Sequence, residues 1–69
     1  VSLKIMKEII KAKITQNADM ISALLATGNN ILVEENKDDL FYGATVDDDG
    51  VITGLNHVGR IIMEIRSEL

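Results

Sequence analysis

The spacing of apolar positions along the chain switches between helical and strand-like, and with caps and turn residues it marks the elements. Leu3, Met6, Ile9, Ile10 and Ile14 recur at helical spacing, with Lys4, Lys7, Glu8, Lys11 and Lys13 between them. This predicts a first helix over residues 3–14, with Ser2 as N-cap and a lysine-rich face turned to solvent. Asn17 is placed to cap a second helix, with Asp19 in its first turn. Met20, Ile21, Leu24 and Leu25 form its buried stripe, and Gly28 closes it as the C′ residue. Ile31-Leu32-Val33 is short, apolar and largely β-branched, and reads as a buried strand. A second strand is expected within residues 40–46. Asp47-Asp48-Asp49-Gly50 then predicts a turn, with Val51-Ile52 returning as a hairpin partner. Asn56 reads as the N-cap of a last helix, whose stripe is Val58, Ile61, Ile62, Ile65 and Leu69.

Composition sharpens this outline. Sixty-nine residues form at most one small domain, and a chain of this size buries only about 60 % of its unfolded surface. Ordering it costs on the order of 100 kcal/mol, at roughly 1.5 kcal/mol per residue. The chain has one Phe, one Tyr and no Trp, so the core must be aliphatic. Further burial is therefore expected from self-association or from the rest of a larger domain. Without cysteine there is no disulfide scaffold and no Cys-based metal site, and one histidine excludes a multi-His site. A net charge of -4 argues against general nucleic-acid binding. No apolar run reaches the length of a membrane span, and no signal peptide is visible. A cytoplasmic location is expected, since absent cysteines fit a reducing compartment.

Three groups carry possible chemistry. The acids around Gly50 invite a calcium-loop reading. With Gly50 at position 6, however, Thr45 replaces the first acid and Asn56 replaces the closing Glu. An acidic hairpin turn is the expectation. His57, taken alone, reads as a first-turn surface residue. Phe41-Tyr42-Gly43 follows Asp38-Asp39. Two rings beside carboxylates suit a base and a sugar; the bland alternative makes Phe41 core and Tyr42 a half-exposed strand residue.

A wider pattern bears on that choice. Lys13-Ile14-Thr15-Gln16-Asn17, Leu24-Leu25-Ala26-Thr27-Gly28, Leu32-Val33-Glu34, Asp39-Leu40-Phe41-Tyr42-Gly43, Gly54-Leu55-Asn56-His57-Val58-Gly59 and Met63-Glu64-Ile65-Arg66 occur in order. Together they resemble the C-terminal half of the NADAR domain, the riboflavin-biosynthesis-intermediate N-glycosidase family. That half typically reads K-F-x-Q-N-x-x-L, L-L-x-T-G, L-V-E, D-x-x-W-G, G-x-N-x-L-G and L-M-x-x-R. The resemblance spans nearly the whole chain.

The resemblance implies cleavage of N-glycosidic bonds in phosphorylated riboflavin precursors, or removal of ADP-ribose from modified guanine. It implies no metal or redox cofactor. Oxocarbenium character at the sugar calls for a carboxylate and an oriented water. Carried over by position, Asp39 would bind or polarise the sugar, Tyr42 would be the stacking wall and Asn56 an orienting hydrogen-bond donor. Gly43 would also lie at the pocket, and Gly54 and Gly59 would shape the backbone near the last helix. The Gln16-Asn17 pair has either a capping or a contact role. Two departures stand out: Tyr42 replaces the family's tryptophan, and the acid-His-aromatic motif of the family's first half has no counterpart here.

The expectation is an α+β chain with three helices and a small antiparallel strand pair or hairpin. Residues 1–69 would be the C-terminal segment of an incomplete NADAR-like domain. Its partners would be a nucleotide-like or ribosyl small molecule and either a second copy or a complementing N-terminal half. Enzyme activity would require that half. The alternative is a non-catalytic binding or oligomerising module of the same descent.

Overall fold

The computed structural model describes all 69 residues, in the order α1 (Leu3–Thr15), α2 (Ala18–Ala26), β1 (Thr45–Val46), β2 (Ile52–Thr53) and α3 (His57–Ser67). Three helices with a two-stranded antiparallel sheet make it α+β. Each early boundary has a local cause. Ser2 Oγ accepts from Ile5 N–H at 3.1 Å and starts α1. Asn17 Oδ1 accepts from the N–H groups of Asp19 and Met20, at 3.0 and 3.2 Å, and starts α2 two residues after α1 ends. Gly28, at φ 57°, ends the turn after α2 in a left-handed conformation that glycine adopts without a Cβ clash.

α1 packs against both α2 and α3. Ile14, Leu24, Ile61 and Ile65 meet in the core, with Leu3, Met6, Ile10, Ile21, Leu32 and Ile62 around them. Ile65 is fully enclosed at 0 % exposure. Not every position in the sequence stripes turns inward: Ile9 is 61 % exposed, and Met20, Leu25 and Leu69 are also exposed. These positions lie off the contacts between the helices. The lysine face of α1 is only partly a solvated one. Lys7 Nζ bonds Glu64 at 2.8 Å and Glu68 at 2.6 Å, and Lys11 Nζ bonds Glu68 at 2.7 Å, joining α1 to α3.

The hairpin forms where the Asp-Gly signal placed it, with Thr45 opposite Thr53 and Val46 opposite Ile52. Asp47 Oδ1 closes the turn by accepting from Asp49 and Val51 N–H, both at 2.9 Å. Two strand expectations need correction. Residues 31–33 form no regular strand, and Ile31 is 70 % exposed. Of the expected strand within 40–46, only Thr45–Val46 is strand, because residues 40–42 turn to meet α3.

The molecule is a slab of 33 × 28 × 16 Å. Its radius of gyration is 12.4 Å, against about 11 Å for an average compact chain of this length. Its surface is 4865 Å², against about 4,300 Å² for its mass. Only eight of 69 residues are buried. No helix is long and apolar enough to cross a membrane.

Candidate functional site

The Asp-rich, aromatic stretch lies on a loop of residues 36–43 whose two ends are tied together. Asn36 N–H donates to Ala44 O at 3.0 Å, and Ala44 N–H donates to Glu34 O at 2.9 Å. These bonds make an isolated parallel bridge between Glu35 and Ala44. The neck is tight at Gly43, which is buried. A Cβ there would meet Glu34 O at 2.6 Å and Asn36 Cβ at 2.9 Å, so only glycine lets the two backbones approach this closely.

Inside the loop, Asp39 holds the aromatic pair. Its Oδ1 accepts from Phe41 N–H at 3.1 Å and Tyr42 N–H at 3.0 Å. Both bonds use one carboxylate oxygen, and Oδ2 has no partner within the chain. Asp39 and Tyr42 are half-buried. Phe41 is 47 % exposed, which overturns its reading as a core residue. The Phe41 and Tyr42 rings meet edge to face at 4.8 Å, with an 87° angle between planes. His57 tilts onto Phe41 at 4.5 Å. The three rings thus form one cluster beside the carboxylate. By sequence, Phe41 reads with Tyr42 as a possible ring pair, and His57 only as a surface residue; neither is among the positions carried over from the family. Their juxtaposition joins positions sixteen apart in the chain and has no local signal.

The loop is bolted to the start of α3 along its whole aromatic side. Leu55 N–H donates to Leu40 O at 2.8 Å, Asn56 to Gly43 O at 3.0 Å, His57 to Phe41 O at 3.2 Å and Val58 to Tyr42 O at 2.8 Å. These carbonyls satisfy the first N–H groups of α3, which elsewhere look for a side-chain cap or an anion. Asn56 accordingly makes no side-chain cap, in contrast to the expected N-cap bond. It takes a left-handed backbone (φ 53°, ψ 40°) and is buried. Its Nδ2 donates to Leu32 O and its Oδ1 accepts from Glu34 N–H, both at 2.9 Å. The donor of the Asn56 amide is thus spent on the backbone. Gly59 leaves room for this amide, since a Cβ there would overlap both the amide and Leu32 O. Gln16 and Asn17 lie at the α1–α2 junction, where Asn17 acts as a cap.

The structure brings Asp39, Tyr42, Gly43 and Asn56 into one hydrogen-bonded unit. Asp39 and Tyr42 are half-buried in it, while Gly43 and Asn56 are buried. Chemically, the unit offers one carboxylate oxygen without a partner in the chain, on the residue whose other oxygen holds the backbone of two aromatic residues.

The NADAR domain family model matches residues 1–69. An N-glycosidase of Nostoc punctiforme is 36 % identical over 69 residues, covering all of this chain and 42 % of that relative. A riboflavin biosynthesis protein of Vibrio vulnificus is 38 % identical over 69 residues, which cover 18 % of its length. N-glycosidase YbiA of Escherichia coli is 35 % identical over 66 residues, covering 96 % of this chain and 39 % of that relative. The chain thus spans about two-fifths of the N-glycosidases it is similar to, and less of the longer riboflavin protein. No solved structure matches it.

Proposed function

This chain belongs to the NADAR domain family, and from that premise we propose that it supplies part of an N-glycosidase site for a phosphorylated ribosyl or ADP-ribose ligand. Relatives that match across all or nearly all of the chain bear the name N-glycosidase. The observation that carries the reading is the Asp39 carboxylate. One oxygen is fixed by Phe41 and Tyr42 N–H, and the other has no partner within the chain.

In this reading Asp39 Oδ2 binds a ribose hydroxyl and stabilises positive charge as the N-glycosidic bond lengthens. The edge-to-face ring pair gives the base an apolar wall, smaller than the family's tryptophan would provide. Gly43 holds the ring-bearing backbone close to the neck. Hydrolysis belongs to the domain as completed by an N-terminal half, which would bring the acid-His-aromatic motif. The chemistry as drawn uses no metal or redox cofactor.

Titration of the chain with ADP-ribose tests the reading. Perturbed NMR signals of Asp39, Tyr42 and His57 are expected. Saturation without any change in these residues counts against the site. In the completed domain, Asp39→Asn keeps an oxygen for the turn but removes the charge, so base release should be abolished. Unchanged turnover in that variant would refute the role of Asp39.

A second reading keeps the fold and drops the chemistry, leaving a binding or oligomerising module. Exposed Ile5 and Ile9 on α1, and exposed Leu40 and Leu55 beside the loop, favour it. Self-association is expected there, and a clean monomer mass in solution would contradict it.

A further inference from the structure

We propose that Asn56 is a positioning residue whose side-chain amide replaces a missing strand residue and so holds the Asp39–Tyr42 loop in register. The proposal rests on the reading of that loop as the ligand face.

The argument begins with segment 32–36. In a parallel ladder, one residue bonds the carbonyl before and the N–H after the residue opposite it. Ala44 does this with its backbone, accepting from Asn36 N–H and donating to Glu34 O. One step earlier, the same pair of groups is Leu32 O and Glu34 N–H. No backbone meets them. The Asn56 amide does, through Nδ2 and Oδ1. A carboxamide carries the same donor and acceptor as a peptide unit, so a side chain continues a ladder that the main chain leaves off.

Three other observations converge on this assignment. The N–H groups at the start of α3 are already taken by the loop carbonyls, which frees the Asn56 side chain from capping. Its positive φ lies in a region that most L residues avoid and Asn tolerates. Such a conformation persists where the surroundings over-determine it. Gly59 vacates the space that the Asn56 amide and Leu32 O fill. Asn56 N–H also donates to Gly43 O, so one residue ties segment 32–34 to the end of the loop.

Asn56→Asp isolates the donor. The introduced carboxylate still accepts from Glu34 N–H, but at neutral pH it presents an oxygen to Leu32 O. Protonation restores an O–H donor there. Tyr42 is the only tyrosine, and the chain has no tryptophan, so the near-ultraviolet tyrosine band reports on this loop alone. The expected result is loss of that band at about pH 7.5, with recovery as the pH falls towards about 5, while helix content stays constant. The titratable groups on the surrounding elements are Glu34, Glu35, Asp39, His57 and Arg60. The same titration of the unaltered chain subtracts their effect. A band unchanged at pH 7.5, or lost equally at both pH values, overturns the proposal.

If the variant fails to fold at either pH, amide hydrogen exchange on the unaltered chain decides instead. Slow exchange at Glu34 N–H, matching that of Ala44, is expected, and fast exchange at Glu34 alone overturns the assignment. No ligand enters either measurement, so their failure is separate from a failure of the ADP-ribose titration.

Discussion

The helical layer and the loop half are held by different forces. In the first, α1, α2 and α3 bury Ile14, Leu24, Ile61 and Ile65 against one another. In the second, residues 31–56 contribute only Ala44 as a buried apolar side chain, and order comes from hydrogen bonds between backbone segments and four carboxylate or amide side chains, Asn36, Asp39, Asp47 and Asn56. Apolar burial is non-directional and tolerates repacking. Hydrogen bonds fix angles and distances but each adds only about 1 kcal/mol net. The layer therefore supplies stability, while the loop half supplies a defined arrangement of a carboxylate and rings. α3 belongs to both, with its first residues bound to the loop and Ile61 and Ile65 in the core.

The strongest way to break this division is to empty the layer. Ile65→Ala leaves a cavity at the most enclosed side chain and should cost about 2–5 kcal/mol. Helix signal and Tyr42 signal should then be lost together in urea, because the loop has no apolar reserve of its own. Separate transitions would show that the halves are independent.

A smaller and more local change is expected at Asp39. Asp39→Ala removes both turn bonds and should cost about 1 kcal/mol, while loosening Phe41 and Tyr42. Asp39→Asn keeps the accepting oxygen and should leave the tyrosine band near that of the unaltered chain. A comparable loss of the band in both variants would refute the turn role.

The least effect is expected from the ionic seam between α1 and α3. Glu64, and then Glu68, raise the Lys7 ammonium above its ordinary range. Lys11, and then Lys7, lower the Glu68 carboxyl below the usual glutamate range. A lowered acid stabilises the fold above its unfolded pKa, and that contribution is lost as pH falls through the folded value. The helical midpoint should drop slightly on acidification below the ordinary glutamate range, and less so in Glu68→Gln. Salt should mimic the effect, since the groups are partly exposed. A midpoint insensitive to both would leave the seam without energetic weight.

Local chemistry explains what the sequence revealed. Ser2, Asn17 and Gly28 sit beside the groups they satisfy, so caps and helix ends were legible. Asp47 and Gly50 act within one turn, so the hairpin was legible too. Residues 31–33 misled because their ladder partner is a side chain from a residue more than twenty positions away. Asn56 before an amphipathic stripe looks like a cap. Only the tertiary contacts of Phe41 and Tyr42 carbonyls with α3 reassign its amide. The resemblance to the family's motifs brought out Asp39, Tyr42 and Gly43. The Asp39 turn follows from a short acidic side chain two and three residues before the N–H groups it holds. The stacking of His57 on Phe41 depends on where α3 docks, which periodicity does not encode.

The 16 Å thickness has a consequence for electrostatics. A slab this thin has no interior deep enough to exclude the high dielectric of water from its faces. Two unit charges 4 Å apart attract by about 1 kcal/mol in bulk water and about 4 kcal/mol where the effective dielectric constant is near 20. Each tenfold gain in rate needs about 1.4 kcal/mol. The half-buried Asp39 carboxylate lies between these two limits, so excluding water from its face would strengthen its pull on a developing positive charge.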